Sequence, residues 1–279
     1  MLCCSSNVAL PVIAGLAVAV GAFGFAAVQP ETGTTAGGCC GGAATAAATT
    51  ECCASAGECA TACATGCESE LAKGPVEDPQ PEPGSAVVGE AAPDFALYDL
   101  EGNRYQLSDF TENGQIVVLE WFNPECPFVV KQYERTSTML DTYAYLMENT
   151  PAIESDSDAA ADEEPTPGVV WLAINSGREG HPTADAELNT GAHENWEMPY
   201  PILMDPTGVV GRAYDAKTTP HMYIISAEGT LIYAGAIDNN RSAREAGDVN
   251  YVIQAFQQHM AGETITDAET QSYGCSVKY

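Results

Sequence analysis

Apolar and polar positions divide the chain into three stretches. Residues Val8 to Val28 form an almost unbroken apolar run, VALPVIAGLAVAVGAFGFAAV, with no charge in it. That length suits a bilayer-spanning helix or a long signal-peptide core, and the small residues near Phe25-Ala26-Ala27 would permit cleavage. Residues Glu31 to Ser85 are rich in Ala, Gly, Thr and Pro and show neither helical period nor strand alternation, so they read as a tether. The tether ends in the stiff, extended VEDPQPEPGS. From about Val88 the pattern becomes that of a folded domain. The expected organisation is an anchor or signal over 1–30, a tether over 31–87 and a domain over 88–279.

Within the domain, APDFALYDLEGNRYQLSDF predicts two short strands around the turn Glu101-Gly102-Asn103. IVVLEWF, Ile116 to Phe122, is dense enough in apolar residues for a strand covered on both faces. A helix should run from about Pro127 into the 140s, followed by a second buried strand, GVVWLAIN, from Gly168 to Asn175. Between them ENTPAIESDSDAAADEEPTPG carries seven acids and no base, the composition of a solvated insertion over about 148–167. Next come a helix near Ala184 to Trp196, a short strand in PILMDPTG and a helix near Val209 to Tyr214. HMYIISAEGTLIYAG predicts a hairpin turning at Glu228-Gly229, and a last helix covers about Val249 to Met260. The order β-α-β, then β-β, then α predicts an α/β thioredoxin fold: a central mixed sheet flanked by helices, with an N-terminal β-hairpin extension.

Charge narrows the partners. Thirty-nine acids against ten Lys and Arg give a net charge of -29, which repels nucleic acid and anionic lipid headgroups alike. No nucleic-acid role is expected, and the surface suits solubility or high salt. The eleven cysteines fall into two groups: nine at or before Cys67, and only Cys126 and Cys275 in the domain. Cys59, Cys63 and Cys67 are spaced to share one face of a helix, as a soft-metal site would require, but no His accompanies them and Cys39-Cys40 and Cys52-Cys53 fit no zinc pattern. The tether therefore reads as unstructured chain with incidental disulfides, with metal binding or a redox relay as the alternatives.

The sharpest chemical signal is Cys126 in WFNPECPFVVKQY. It follows a buried strand and precedes Pro127, which suits the first position of a helix. A sulfur there would face unpaired backbone N–H groups and the positive end of the helix dipole, both of which favour thiolate over thiol. Cys275 lies near the end of the chain in a polar, Gly-flanked stretch expected to be mobile. It could reach Cys126 and resolve an oxidised intermediate, or serve a structural or intermolecular disulfide.

The domain resembles the redoxin family, which groups thioredoxin-like proteins with peroxiredoxins and thiol-specific antioxidant proteins, and within it a bacterial peroxiredoxin-like subgroup. GEAAPDFALYDLEGNRYQLSDF, the Cys126-Pro127-Phe128-Val129 run with Lys131, YPILMDPTGVVGRAYDAKTTPHMYIISAEGTLIYAGAIDNN and the closing YGCSVKY carry the likeness. The resemblance implies that Thr219-Pro220 is the cis-proline turn facing the reactive cysteine. It also implies that Glu120 could be a buried proton acceptor. The subgroup's second cysteine is replaced by Asn123, leaving N-x-x-C, which is similar to the T-x-x-C of peroxiredoxins. Asn123 would then donate a hydrogen bond near the thiolate. Leu119 stands where peroxiredoxins carry a proline. Arg212 and Lys217 are rare bases that could favour a thiolate.

These readings converge on a thiol-dependent oxidoreductase with peroxiredoxin-like antioxidant activity. Cys126 would be the nucleophile, Cys275 the resolving thiol, and Asn123, Thr219 and Pro220 the rest of the site. No cofactor or metal is expected in the domain. The expected partners are an external thiol reductant and a peroxide or disulfide substrate, exported proteins among them. The apolar segment implies contact with a membrane and a periplasmic or other extracytoplasmic location. The alternatives are a redox-inert thioredoxin-fold binding module, or metal binding through the cysteine-rich tether.

Overall fold

The computed structural model describes residues 78–153 and 166–279. The apolar run, the cysteine-rich part of the tether and most of the acidic insertion lie outside the described residues. The insertion's flanks meet in an isolated bridge between Ile153 and Thr166. Among the described residues no helix is long and apolar enough to cross a membrane.

The expected opening hairpin is β1 (Ala96–Asp99) with β2 (Arg104–Gln106). Asp99 shapes its turn, accepting hydrogen bonds from the N–H groups of Glu101 and Asn103 and from the Asn103 side chain. A short helix, α1 (Leu107–Glu112), leads into β3 (Ile116–Trp121), every residue of which is buried. Beyond the insertion come β4 (Val169–Asn175), α4 (Ala186–Asn195), β5 (Ile202–Met204) and α5 (Val209–Ala213). Then follow β6 (Thr218–Thr219), the hairpin β7 (Met222–Ile225) and β8 (Leu231–Gly235), α6 (Tyr251–Met260) and β9 (Cys275–Ser276). Asp185 and Asn250 cap α4 and α6 by accepting hydrogen bonds from the N–H groups of Leu188 and Ile253.

The main sheet runs β2-β1-β5-β4-β3-β7-β8, with β3, β4 and β5 parallel and the outer pairings antiparallel. This is the mixed sheet of the thioredoxin fold extended at one edge by the N-terminal hairpin. Alternation along β3 and β4 sends their side chains to opposite faces. Val118 and Trp171 pack on one side with Val129, Leu146 and Phe256. Val117, Leu119, Trp121, Leu172 and Ile174 pack on the other with Phe95, Tyr214 and Tyr223. Glu120 shares the first face, a carboxyl inside an apolar layer.

The helix expected from Pro127 into the 140s is broken. It runs as α2 (Pro127–Val130), widens into a π turn over Lys131–Arg135, and restarts as α3 (Thr138–Asn149). The cause is the run Thr136-Ser137-Thr138. Ser and Thr compete for backbone hydrogen bonds and weaken helix interiors. Here the Thr136 hydroxyl bonds the Lys131 carbonyl, and Ser137 turns left-handed at φ 51. The end of the expected tether also differs from expectation. Gly84 and Ala86 donate backbone hydrogen bonds to Arg212 and Ala213, and Asp78 pairs with Arg104 at 2.9 Å. The proline-rich stretch therefore lies against the domain from residue 78 onward.

Candidate active site

The chain leaves β3 through Phe122, whose N–H bonds the Ile174 carbonyl. It then turns tightly: the Asn123 side-chain oxygen accepts from the Glu125 N–H, and the Asn123 carbonyl accepts from the Cys126 N–H. Cys126 becomes the N-cap of α2 with Pro127 in the first helical position. The expected strand–Cys–Pro–helix turn is therefore present, but among the described residues no backbone amide hydrogen-bonds the sulfur. The Cys126 side chain makes no capping hydrogen bond. Pro127 has no N–H to offer, and the N–H groups of Val129 and Val130 are taken by the Cys126 carbonyl. The sulfur turns instead to the carbonyl oxygen of Thr219, 2.9 Å away, and donates its proton there. Cys126 is 1 % exposed.

The Thr219-Pro220 peptide is cis, and Thr219 is the residue that meets the Cys126 sulfur. Asn123 is buried close by, but its side-chain oxygen is committed to the turn, and its side chain makes no hydrogen bond to the Cys126 sulfur. Cys275 departs most from expectation. Its segment is not a mobile end: β9 pairs antiparallel with β6, with Cys275 opposite Thr219 and Ser276 opposite Thr218. That register places the Cys275 thiol beside Cys126. Burial first, then the nearby Cys126 thiol and the charge it would carry, push the Cys275 thiol up to about 12; nearby Lys278 pulls the other way. Both sulfurs are free thiols.

The remaining sequence candidates fall elsewhere. Lys217 pairs with Asp215 at the surface, and the Arg212 guanidinium lies over the Tyr279 ring. Neither reaches the sulfurs. Glu120 is fully buried and pushed up to about 8, because burial outweighs the hydrogen bonds it receives from Tyr133 and Trp171. Tyr200 in turn bonds Tyr133, and among the described residues the second Glu120 oxygen has no partner. Burial thus favours the protonated acid over the carboxylate.

One cluster escaped the sequence reading. Lys131, wholly buried in the π turn, pairs with buried Asp238 at 3.1 Å and also bonds the Asn240 carbonyl and the Tyr273 hydroxyl. Tyr273 donates to Asp238, Gln132 donates to Tyr273, and the Phe128 ring meets the Tyr273 ring edge-on at 5.9 Å. The helix that begins at Cys126 is thereby tied to the segment that ends at Cys275. The available signal was one of the ten bases placed within an apolar stretch five residues beyond Cys126.

Comparison with known proteins agrees with this fold. Residues 88–234 match the AhpC/TSA family. The chain is 28% identical over 147 residues to the thiol-disulfide oxidoreductase ResA of Geobacillus thermodenitrificans, covering 53% of this chain and 68% of that protein. Among solved structures, a hypothetical protein from Sinorhizobium meliloti 1021 superposes with a TM-score of 0.55 at 24% identity, covering 72% of this chain and 98% of that one. An uncharacterized conserved protein from Geobacillus kaustophilus gives 0.54 at 26% identity, over 71% of this chain and 95% of that one.

Proposed function

The chain belongs to the AhpC/TSA family, and from that premise we propose that it is a thiol–disulfide oxidoreductase whose redox pair is Cys126 and Cys275. The observation that carries the reading is that both thiols meet at Thr219, whose carbonyl accepts from Cys126 and whose strand partner is Cys275. The relative named a thiol-disulfide oxidoreductase supports a disulfide as the substrate class.

The Cys126 proton leaves and the thiolate attacks one sulfur of an outside disulfide, forming a mixed disulfide and releasing the other sulfur as a thiolate. Cys275, deprotonated in turn, attacks the Cys126 sulfur and expels the second outside thiolate. The outside disulfide gains two electrons and the Cys126–Cys275 pair loses them. An external thiol reductant restores the pair. Pushed up to about 12, Cys275 is held as the thiol in the reduced pair, which suits it to the resolving role rather than the attacking one. A peroxide enters the same scheme: the Cys126 thiolate takes one oxygen as a sulfenic acid while the O–O bond breaks and the other oxygen leaves as hydroxide, which a proton turns to water; Cys275 then forms the disulfide with Cys126 and displaces a second water. That is the antioxidant branch of the reading. The N-terminal apolar run would hold this chemistry at an extracytoplasmic membrane face, with the tether as spacer.

The test is equilibration of the full chain in glutathione buffers, acid quenching and peptide mapping. A Cys126–Cys275 disulfide is expected at oxidising poise. Cys275→Ser should accumulate a glutathione adduct on Cys126 instead, and Cys126→Ser should show neither product. Stopped-flow turnover of the wild type with hydrogen peroxide and with a model disulfide separates the two branches. If Cys126 and Cys275 remain thiols throughout, the domain is the redox-inert binding module instead.

A further inference from the structure

The segment that delivers Cys275 also closes the site. The Cys126 sulfur is hydrogen-bonded to the Thr219 carbonyl, Cys275 lies opposite Thr219 in the strand laid over it, and Cys126 is almost wholly buried. Nothing from outside can reach it along that line while β9 lies on β6. We propose, building on the exchange reading above, that Tyr273–Val277 is an intramolecular occupant of a strand-binding edge. It must lift from β6 before an outside disulfide meets Cys126, and it shows what that edge accepts: an extended segment in which glycine precedes the cysteine.

The edge has the chemistry of strand addition. Among the described residues β6 pairs with β9 alone, and the Val277 N–H extends the pairing to the Lys217 carbonyl. Lifting β9 strips these partners from Lys217 and the two residues of β6 and uncovers Thr219, which is 2 % exposed beneath the strand. Buried backbone groups must be paired, and an incoming extended chain can supply the same bonds.

The selectivity comes from Gly274. It has a φ of +140, and a Cβ added there would lie 2.0 Å from the Thr219 oxygen and 2.7 Å from its carbonyl carbon. Those are backbone atoms beside the cis peptide and cannot step aside. The residue before the cysteine therefore runs directly over Thr219 with no space for a side chain. The segment is anchored on either side of this point: Tyr273 on the Lys131–Asp238 pair, and Tyr279 through its hydroxyl on the Ala216 carbonyl and its ring beneath Arg212. Between the anchors the strand spans only Cys275 and Ser276. A pairing that short opens locally at a small fraction of the cost of unfolding the domain.

Iodoacetamide labelling of the full chain, read on the peptide carrying Cys126, tests the gate. In Cys275→Ser the strand remains docked, so Cys126 should label slowly. Adding Gly274→Val, which cannot dock, should raise the rate at least about tenfold. Should that variant misfold by near-UV circular dichroism, Tyr279→Ala in the same background releases the other anchor and is read in the same way. Equal labelling with the strand docked and released overturns the proposal.

The selectivity is read by offering the released Gly274→Val, Cys275→Ser protein two peptides, Tyr-Gly-Cys-Ser-Val and Tyr-Ala-Cys-Ser-Val, each with its sulfur in an aryl disulfide. Cys126 attacks the peptide sulfur and the coloured aryl thiolate departs. The glycine peptide should react about tenfold faster, and equal rates sink the selectivity. Labelling involves no exchange chemistry, so the gate can survive a failure of the redox reading. Conversely, a Cys126–Cys275 disulfide formed with labelling unchanged would sink the gate alone.

Discussion

Asp238→Asn is expected to destabilise the domain by about 3–5 kcal/mol, measured as a fall in the urea unfolding midpoint. The substitution keeps an oxygen for Tyr273 and for the Asn240 N–H but removes the charge facing Lys131. Lys131 has no exposed surface, so its ammonium would remain in an apolar layer with only the Asn240 carbonyl and the Tyr273 hydroxyl and ring for company. The converse change should cost less. After Lys131→Met the Asp238 carboxylate keeps the Tyr273 hydroxyl, the Gln132 amide and the N–H groups of Asn240 and Gly247 as donors. The double variant should recover much of the loss, because a buried pair replaced as a pair leaves no lone charge. Salt in the molar range should leave the difference intact, since a pair sealed from solvent is barely screened. Equal losses from the two single variants, or a loss that disappears in salt, would contradict the burial and partners on which this rests.

The same network shows why part of the site could be read from residues in order and part could not. IVVLEWF announced β3 because strands buried on both faces leave no polar alternation, and Glu228-Gly229 announced the β7–β8 turn because glycine supplies its left-handed residue at φ +79. Cys126 was legible because strand, turn, cysteine and proline are neighbours in the chain. Thr219-Pro220 was placed opposite it only through family resemblance, and the two meet across 93 positions. The docking of Cys275 was illegible. A strand of two residues has no periodicity, and its partner is another strand of two residues far away in the chain. A glycine before a cysteine reads locally as flexibility, whereas in the fold it is the one residue that fits against Thr219. The amide hydrogen bonds expected at the Cys126 sulfur are missing for a reason also visible only in three dimensions: the sulfur donates to the Thr219 carbonyl, and the N–H groups of Val129 and Val130 bond the Cys126 carbonyl. A charge within an apolar run, as at Glu120 or Lys131, leaves open whether it points outward or is buried with partners, and only the fold decides.

Glu120 sets the second large effect, a loss of stability between about pH 6.5 and pH 8 that Glu120→Gln should abolish. Burial pushes this carboxyl from 4.5 up to about 8, so the folded protein keeps a proton that the unfolded chain releases. Wherever the native state binds more protons, stability falls as pH rises. Its stabilising contribution is complete below about pH 4.5 and is lost as pH climbs to about 8. His221 acts in the opposite sense. Burial lowers it from 6.5 to about 4, so the unfolded chain binds the extra proton and stability rises with pH across that range. The two slopes oppose each other up to about pH 6.5, and above that Glu120 acts unopposed. Over the remaining span the wild type should lose about 2 kcal/mol, at roughly 1.4 kcal/mol per pH unit. The amide in Glu120→Gln has no proton to lose while keeping an oxygen for Tyr133 and Trp171, so its urea unfolding free energy should be level from pH 6.5 to 8.5. A wild-type profile already level over that interval would mean that the carboxyl is ionised in the fold, and that a cation or water meets the oxygen left without a partner beneath the Cys126 turn.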